Sequence, residues 1–393
     1  MHALTRRSLI CAPSLLVLTG CDRPGDGGGE SGGIPMLVTK TSFSRTAVML
    51  ARALLALCIP VLLSGCHDSA GLPDGSAKGE TVEIRHGSGA SEYRALVYIP
   101  AGYRPEKPLP VVINIHGCVI TPELLQAGSL FDRVAQREQF IVVYPSFVDQ
   151  DTHPLKCWRF YLPNEWTRGQ GDAAGVVELT RMVMERWSVD PERVYLMGSS
   201  SGAFLASVLG ATFPDLYAAM VNLAGGPYAS TFLDAANPTI PALENPALQA
   251  QLAFLAMGSH ARVVPLLEIH GDADTTIYPQ NGANAVQQWL MTNNLVASGS
   301  RTGPFPLAPS QTRAYEQDGD FPYEIDDYRD EQGCLLVRHI RIHGMNHLYP
   351  GGSDDPELPP FVEPRAVSAS EAAWDFFKRY RKSGTSLPCV EGP

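Results

Sequence analysis

Basic residues are in short supply: 30 Lys and Arg stand against 41 Asp and Glu, a formal net charge of -11 over 393 residues. That balance argues against a nucleic-acid partner, which wants a basic face, and reads instead as an acidic soluble surface. No periodic repeat stands out along the chain. Past position 66 cysteine is sparse, with only Cys118, Cys157, Cys334 and Cys389. None of these sits in a zinc-type pair, so no metal site is expected; no cofactor is expected either. What the chain does have is apolar content. At 45% hydrophobic it can bury a large core in one catalytic-sized domain plus extras.

Residues 1–66 are unlike the rest. "MHALTRRSLICAPSLLVLTGC" has basic Arg6 and Arg7, a short apolar stretch and a Leu18-Thr19-Gly20-Cys21 ending. "MLARALLALCIPVLLSGC", from Met49, ends Leu63-Ser64-Gly65-Cys66. Each has the layout of an export signal. Both endings resemble a bacterial lipobox, which makes Cys66 and Cys21 the candidate lipidation sites and implies a tether to a membrane. Residues 46–65 could also be read as a membrane span, but Pro60 and the abrupt small-residue end favour cleavage. Residues 67–80 read as a flexible tether, and residues 81–393 as the catalytic domain. The expected location is periplasmic, membrane-anchored or extracellular. In such an oxidising compartment four remaining cysteines imply two disulfides. Connectivity does not follow from sequence; the pairing adopted is Cys118 with Cys157 and Cys334 with Cys389.

From residue 81 strands alternate with helices. "TVEIRH" and "YRALVYIP" form an opening strand pair. "PVVINIHG" is continuously apolar, as in a strand covered on both faces. A helical stretch is expected around 122–137, then the strand "FIVVYP", then an amphipathic helix over 172–187 with Asp172 as its N-cap. "AAMVNLAG", "VPLLEIHG" and "GCLLVRHIRIHG" supply further strands, and Ser368 with Glu371 opens the final helix as a capping box. The alternation predicts an α/β fold with a mostly parallel sheet flanked by helices. Two stretches break the pattern. Residues 228–262 read as a small cap, and residues 297–331, with Asp318, Asp320, Asp326 and Asp327, as a solvated loop rather than a cation site.

The chemistry centres on "VYLMGSSSGAF", residues 194–204. A strand, a glycine-flanked turn and a helix are the setting of a G-x-S-x-G nucleophile elbow, with Ser200 as nucleophile. A serine hydroxyl needs an imidazole to take its proton, and the imidazole needs a carboxylate to orient it. In chain order Ser, acid, His, two later strands supply them: "VPLLEIHG" leads into "DADTTIYP", and "LLVRHIRIHG" into "MNHLYPGG". Asp272 and Asp274 compete in the first loop; His343 and His347 compete in the second. The N–H of Ser201, next after the nucleophile, is one expected oxyanion donor. Trp158, Tyr161 and Trp166 cluster after a strand end where a substrate cleft belongs; the alternative for each is ordinary packing.

"YIPAGY…PLPVVINIHGC", "CWRF", "VDPERVYLMGSSSGAF", "HGDADTTIYPQNG" and "GMNHLYPGG" resemble, in order, the motifs of extracellular poly(3-hydroxybutyrate) depolymerases, a family that includes feruloyl and acetylxylan esterases. The likeness runs from about residue 81 to 382 and implies an α/β-hydrolase fold. It implies Asp274 as the acid, with Asp272 a turn residue, and His347 as the base, with His343 and His270 as strand histidines. It implies Cys118 as the second oxyanion N–H donor, and leaves His116 to the hydrogen bonding of that loop. Asn346 stands where the family usually has Gly, and Leu348-Tyr349 replaces an Ala-Trp pair, which blurs the substrate-facing rim around Tyr349. The implied activity is a secreted or lipid-anchored serine esterase acting on small or oligomeric hydroxyalkanoate esters. Feruloyl or acetylxylan esterase is the alternative within the family, and a serine peptidase or a non-catalytic binding protein the alternatives outside it. The chain ends soon after the last helix, so no C-terminal polymer-binding domain is expected.

Overall fold

The computed structural model describes residues 79–149, 151–236 and 245–382. Cys21, Cys66, the two signal-like segments and Cys389 lie outside them. A ten-stranded sheet runs through the described residues in the order β1-β2-β4-β3-β5-β6-β7-β10-β9-β8. Its centre is parallel: β4 (Ile141–Phe147), β3 (Leu109–Ile115), β5 (Val189–Ser199), β6 (Met220–Leu223), β7 (Leu266–Gly271) and β10 (Leu335–Ile342). All seven residues of β3 and of β4 are buried. That burial accounts for their unbroken apolar runs, because helices cover both faces. The opening pair β1 (Glu80–His86) and β2 (Tyr93–Ile99) is an antiparallel hairpin against β4.

The helical stretch expected around 122–137 is built of two helices, α1 (Pro122–Ser129) and α2 (Phe131–Glu138), separated at Leu130, whose φ is 56°. The helix expected over 172–187 is α3 (Gly171–Arg186), and its N-cap is Gln170. Asp172 does not cap it. The carboxylate is fully buried and binds Arg159, His153 Nε2 and the Tyr93 hydroxyl. Capping residues keep their carboxylate at the solvent edge; this one is drawn inward by two cationic or N–H-bearing partners.

After β5 comes α4 (Ser201–Thr212), buried along its whole length, as its apolar circumference requires. Of the expected cap, α5 (Phe232–Ala236) faces the site, whereas α6 (Pro246–Met257) packs along α7 (Pro279–Ser298). The stretch read as a solvated loop instead adds two strands, β8 (Gln311–Tyr315) and β9 (Tyr323–Arg329), antiparallel to the edge at β10. Of its acidic residues, Asp326 and Asp327 are held within the sheet, Asp326 by Thr312 and Arg341, while Asp318 and Asp320 stay exposed in the turn between β8 and β9, as the loop reading had them. Asp327 is buried between Arg313, Arg329 and Arg338 at 2.8, 3.1 and 2.6 Å. The charge that suggested solvent exposure is thus neutralised across the sheet. A short pair, β11 (Tyr349–Pro350) and β12 (Val362–Glu363), precedes α8 (Ala369–Phe377). Ser368 caps α8 through the Glu371 N–H at 3.3 Å, but the Glu371 carboxylate turns to Arg137.

Candidate active site

The site begins with a backbone constraint. Ser200 has φ 54° and ψ -123°, a conformation that side chains rarely adopt. Two glycines allow the turn. A Cβ on Gly198 would lie 2.1 Å from the Gly202 oxygen, and one on Gly202 would lie 2.4 Å from the Ile115 oxygen. Strand, turn and the neighbouring β3 end are pressed together with no room for a methyl group. Gly202→Ala is therefore expected to lower unfolding free energy by about 1–3 kcal/mol through backbone overlap, measurable by urea denaturation.

The structure brings Ser200, His347 and Asp274 into one line. His347 Nε2 is 3.0 Å from Ser200 Oγ, and His347 Nδ1 is 2.7 Å from Asp274 Oδ2. Each comes from the carboxyl end of a parallel strand: β5, the loop after β7 and the loop after β10. Asp274 Oδ1 accepts the backbone N–H groups of Thr276 and Ile277 at 2.8 and 2.9 Å. Burial opposes ionisation of Asp274, but bonds to His270 and His347 outweigh it and hold the carboxyl well below the usual range.

The competing residues are engaged elsewhere. Asp272 bonds His343 Nδ1 at 2.8 Å and the Gly344 N–H at 2.7 Å, near the surface. His116 is buried, with Nδ1 on the Gly117 oxygen and Nε2 on Ser146; burial lowers it to about 4. It is a structural part of the loop after β3.

That loop lies against the serine. A Cβ on Gly117 would come within 3.0 Å of Ser200 Cβ. The expected Cys118–Cys157 disulfide is present, and the adjacent Val119 N–H donates to the Leu155 oxygen at 2.7 Å. Cys334 is buried, and its expected partner lies outside the described residues. Among the described residues the N–H groups of Cys118 and Ser201 have no protein acceptor. The second stands at the N-terminus of α4, where the helix dipole favours negative charge.

Ser200 opens into a cavity of about 440 Å³ with mainly apolar walls. Tyr161 and Tyr349 line it, as expected. Trp158 and Trp166 do not. Trp158 is fully buried in the core, its indole N–H on the His116 oxygen at 3.0 Å. Trp166 gives its N–H to the Phe160 oxygen at 2.8 Å and packs against the core. Both rings carry a polar edge that must be satisfied when buried, and main-chain oxygens satisfy it on the core side. The sequence reading missed Leu155, Phe160, Phe232 and Phe361, which wall the cavity from three separate loops. It also missed Arg159 of "CWRF", whose N–H and guanidinium both bind Asp172 and so anchor the 155–161 loop.

A serine on a strained strand-to-helix turn, with histidine and aspartate at the ends of later parallel strands, defines an α/β-hydrolase. The family model described as "Esterase PHB depolymerase" matches residues 93–304. The chain belongs to that family, whose chemistry is carboxylic-ester hydrolysis. It is 27% identical over 319 residues to a poly(3-hydroxyalkanoate) depolymerase C of Paucimonas lemoignei, covering 80% of this chain and 71% of that protein. To acetylxylan esterase A of Aspergillus oryzae it is 29% identical over 214 residues, 52% of this chain and 67% of that one. Among solved structures, an acetyl xylan esterase from Aspergillus awamori matches with a TM-score of 0.59 and 20% identity. That match covers 76% of this chain and 99% of the other, a likeness of fold.

Proposed function

We propose that the protein is a serine esterase that cleaves hydroxyalkanoate esters through an acyl-enzyme. Ser200 Oγ attacks the ester carbonyl carbon as its proton passes to His347 Nε2. The tetrahedral oxyanion faces the Cys118 and Ser201 N–H groups, each such donor contributing about 3 kcal/mol in the transition state. Collapse breaks the carbon–alkoxy bond, and the departing alcohol takes the proton from His347. Water then attacks the acyl group with His347 again as base, which frees the hydroxy acid and restores Ser200. Asp274 keeps His347 in the reactive tautomer and steadies the imidazolium.

The observation that carries this reading is a serine in hydrogen-bond reach of a carboxylate-held imidazole at the floor of an apolar cavity. The substrate class rests on the walls. Exposed Val119, Leu155 and Phe232 continue the apolar lining to the surface, which suits an aliphatic polyester segment better than a hydrated sugar. The relative whose name specifies a poly(3-hydroxyalkanoate) also shares the larger part of this chain. The Cys118–Cys157 bond supports an exported protein, and lipidation at Cys66 or Cys21 would supply a membrane tether.

The test is a panel of 3-hydroxybutyrate oligomers, methyl ferulate, acetylated xylan and peptide amides. The oligomers are expected to give the highest kcat/KM. A clear preference for ferulate or acetylated xylan moves the assignment within the family, and amide cleavage above ester cleavage removes it.

A further inference from the structure

Behind the proposed acid lies a second buried pair that the reaction as written does not use. Glu268 and His270 face the same side of β7. His270 Nδ1 is 3.3 Å from Glu268 Oε1, and His270 Nε2 is 2.9 Å from the Ile277 oxygen and 3.4 Å from Asp274 Oδ2. Both side chains are buried, at 0% and 2% exposure, and Glu268 Oε2 has no partner. A carbonyl oxygen cannot donate, so Nε2 carries a hydrogen. Nδ1 faces a carboxylate, so a second proton lies between that nitrogen and Glu268. With that proton on the ring, His270 is an imidazolium whose Nε2–H is directed at Ile277 and Asp274. Burial opposes this charge and pushes Glu268 upward as well, yet on the ring the bonds to Asp274 and Glu268 prevail and raise His270 to about 9.

We propose that His270, held by Glu268, is a positioning residue that places a buried positive charge against Oδ2 of Asp274, the oxygen that His347 also binds, and so moderates the pull of the carboxylate on His347. This rests on the reading of Ser200, His347 and Asp274 given above. Asp274 Oδ2 is shared by the two imidazoles, while Oδ1 is held by two backbone N–H groups. An unmoderated buried carboxylate would bind the protonated form of His347 tightly. The base would then be occupied at pH values where it must be free to accept the Ser200 proton.

The surroundings leave His270 as the cation that acts here. From β10, His339 stands in register with Glu268, and burial lowers it to about 3, so it is neutral. Arg341, in register with His270, is committed to Glu324 and Asp326 on β9 at 2.7 and 3.0 Å. β6 presents Asn222 in register with Glu268. α7 carries no titratable side chain and seals the pair with Gly282, where a Cβ would lie 2.6 Å from His270 Nδ1.

The experiment is the pH dependence of kcat/KM on p-nitrophenyl butyrate. It uses wild type, His270→Gln, and the double variant Glu268→Gln/His270→Gln, which leaves no unpaired buried acid. Competent sites are counted with a fluorophosphonate probe. Without the cation, Asp274 holds the protonated His347 more firmly, so the acid limb is expected to move up by about half to one pH unit in both variants. A purely structural role would lower activity or competent-site number while leaving the limb in place or moving it down. An unmoved or lowered limb in both variants, with wild-type turnover dependent on Ser200, overturns the positioning role. Wild-type turnover that survives Ser200→Ala overturns the underlying reading of the site instead.

Discussion

Ser200→Ala is expected to lower kcat/KM for p-nitrophenyl butyrate by at least ~10⁴-fold while the thermal midpoint stays near that of wild type. The size follows from what is removed. The proposed oxyanion donors and the cavity remain, so binding and part of the transition-state stabilisation would persist, but no acyl-enzyme could form. The fold is spared because the side chain adds little packing. Its backbone strain is held by Gly198, Gly202 and the Leu223 oxygen, which accepts the Ser200 N–H at 2.9 Å. Steady-state kinetics with a fluorophosphonate titration would check it. Unchanged turnover, or labelling at another residue, would relocate the nucleophile.

The second large effect separates two neighbouring aspartates. Asp274→Asn is expected to cost on the order of 10⁴-fold in kcat, because an amide in that place favours the wrong imidazole tautomer. It would also leave His270 facing a neutral partner. Asp272→Asn should change kcat less than about threefold, since its partner is His343 and the pair is largely exposed, a setting in which ion pairs contribute little. The two residues are two positions apart in sequence, yet one pairs with His343 near the surface and the other, buried, with His347. Equal losses in both variants would sink the assignment of the acid.

Why these distinctions could or could not be read from the chain follows from local physics. The elbow was legible because its glycines, strand and helix are contiguous, and chain order alone confined the base and acid to two loops. Choosing Asp274 and His347 within those loops took the family likeness, since both aspartates and both histidines fit the pattern. The added strands β8 and β9 were not legible. Their acidic residues suggest solvent, and the compensating arginines stand on partner strands some distance along the chain, as Arg338 does for Asp327. Asp172 misled for the same reason: its position fits a helix cap, whereas its partners Tyr93, His153 and Arg159 converge only in three dimensions. Aromatic clustering around residues 158–166 could not say which rings turn inward. Only Phe160 and Tyr161 of that stretch reach the cavity.

The proposed reacting groups sit on sheet ends, whereas much of the wall around them comes from residues 155–161, 232–235 and 348–361, with Val119, Ile120, Thr276 and Ile277 added by the loops that carry those groups. Reaction and the larger part of the cavity wall are consequently carried by different stretches of polypeptide. New acyl or alcohol preferences could be written into those three surface segments while the hydrolytic apparatus is left untouched.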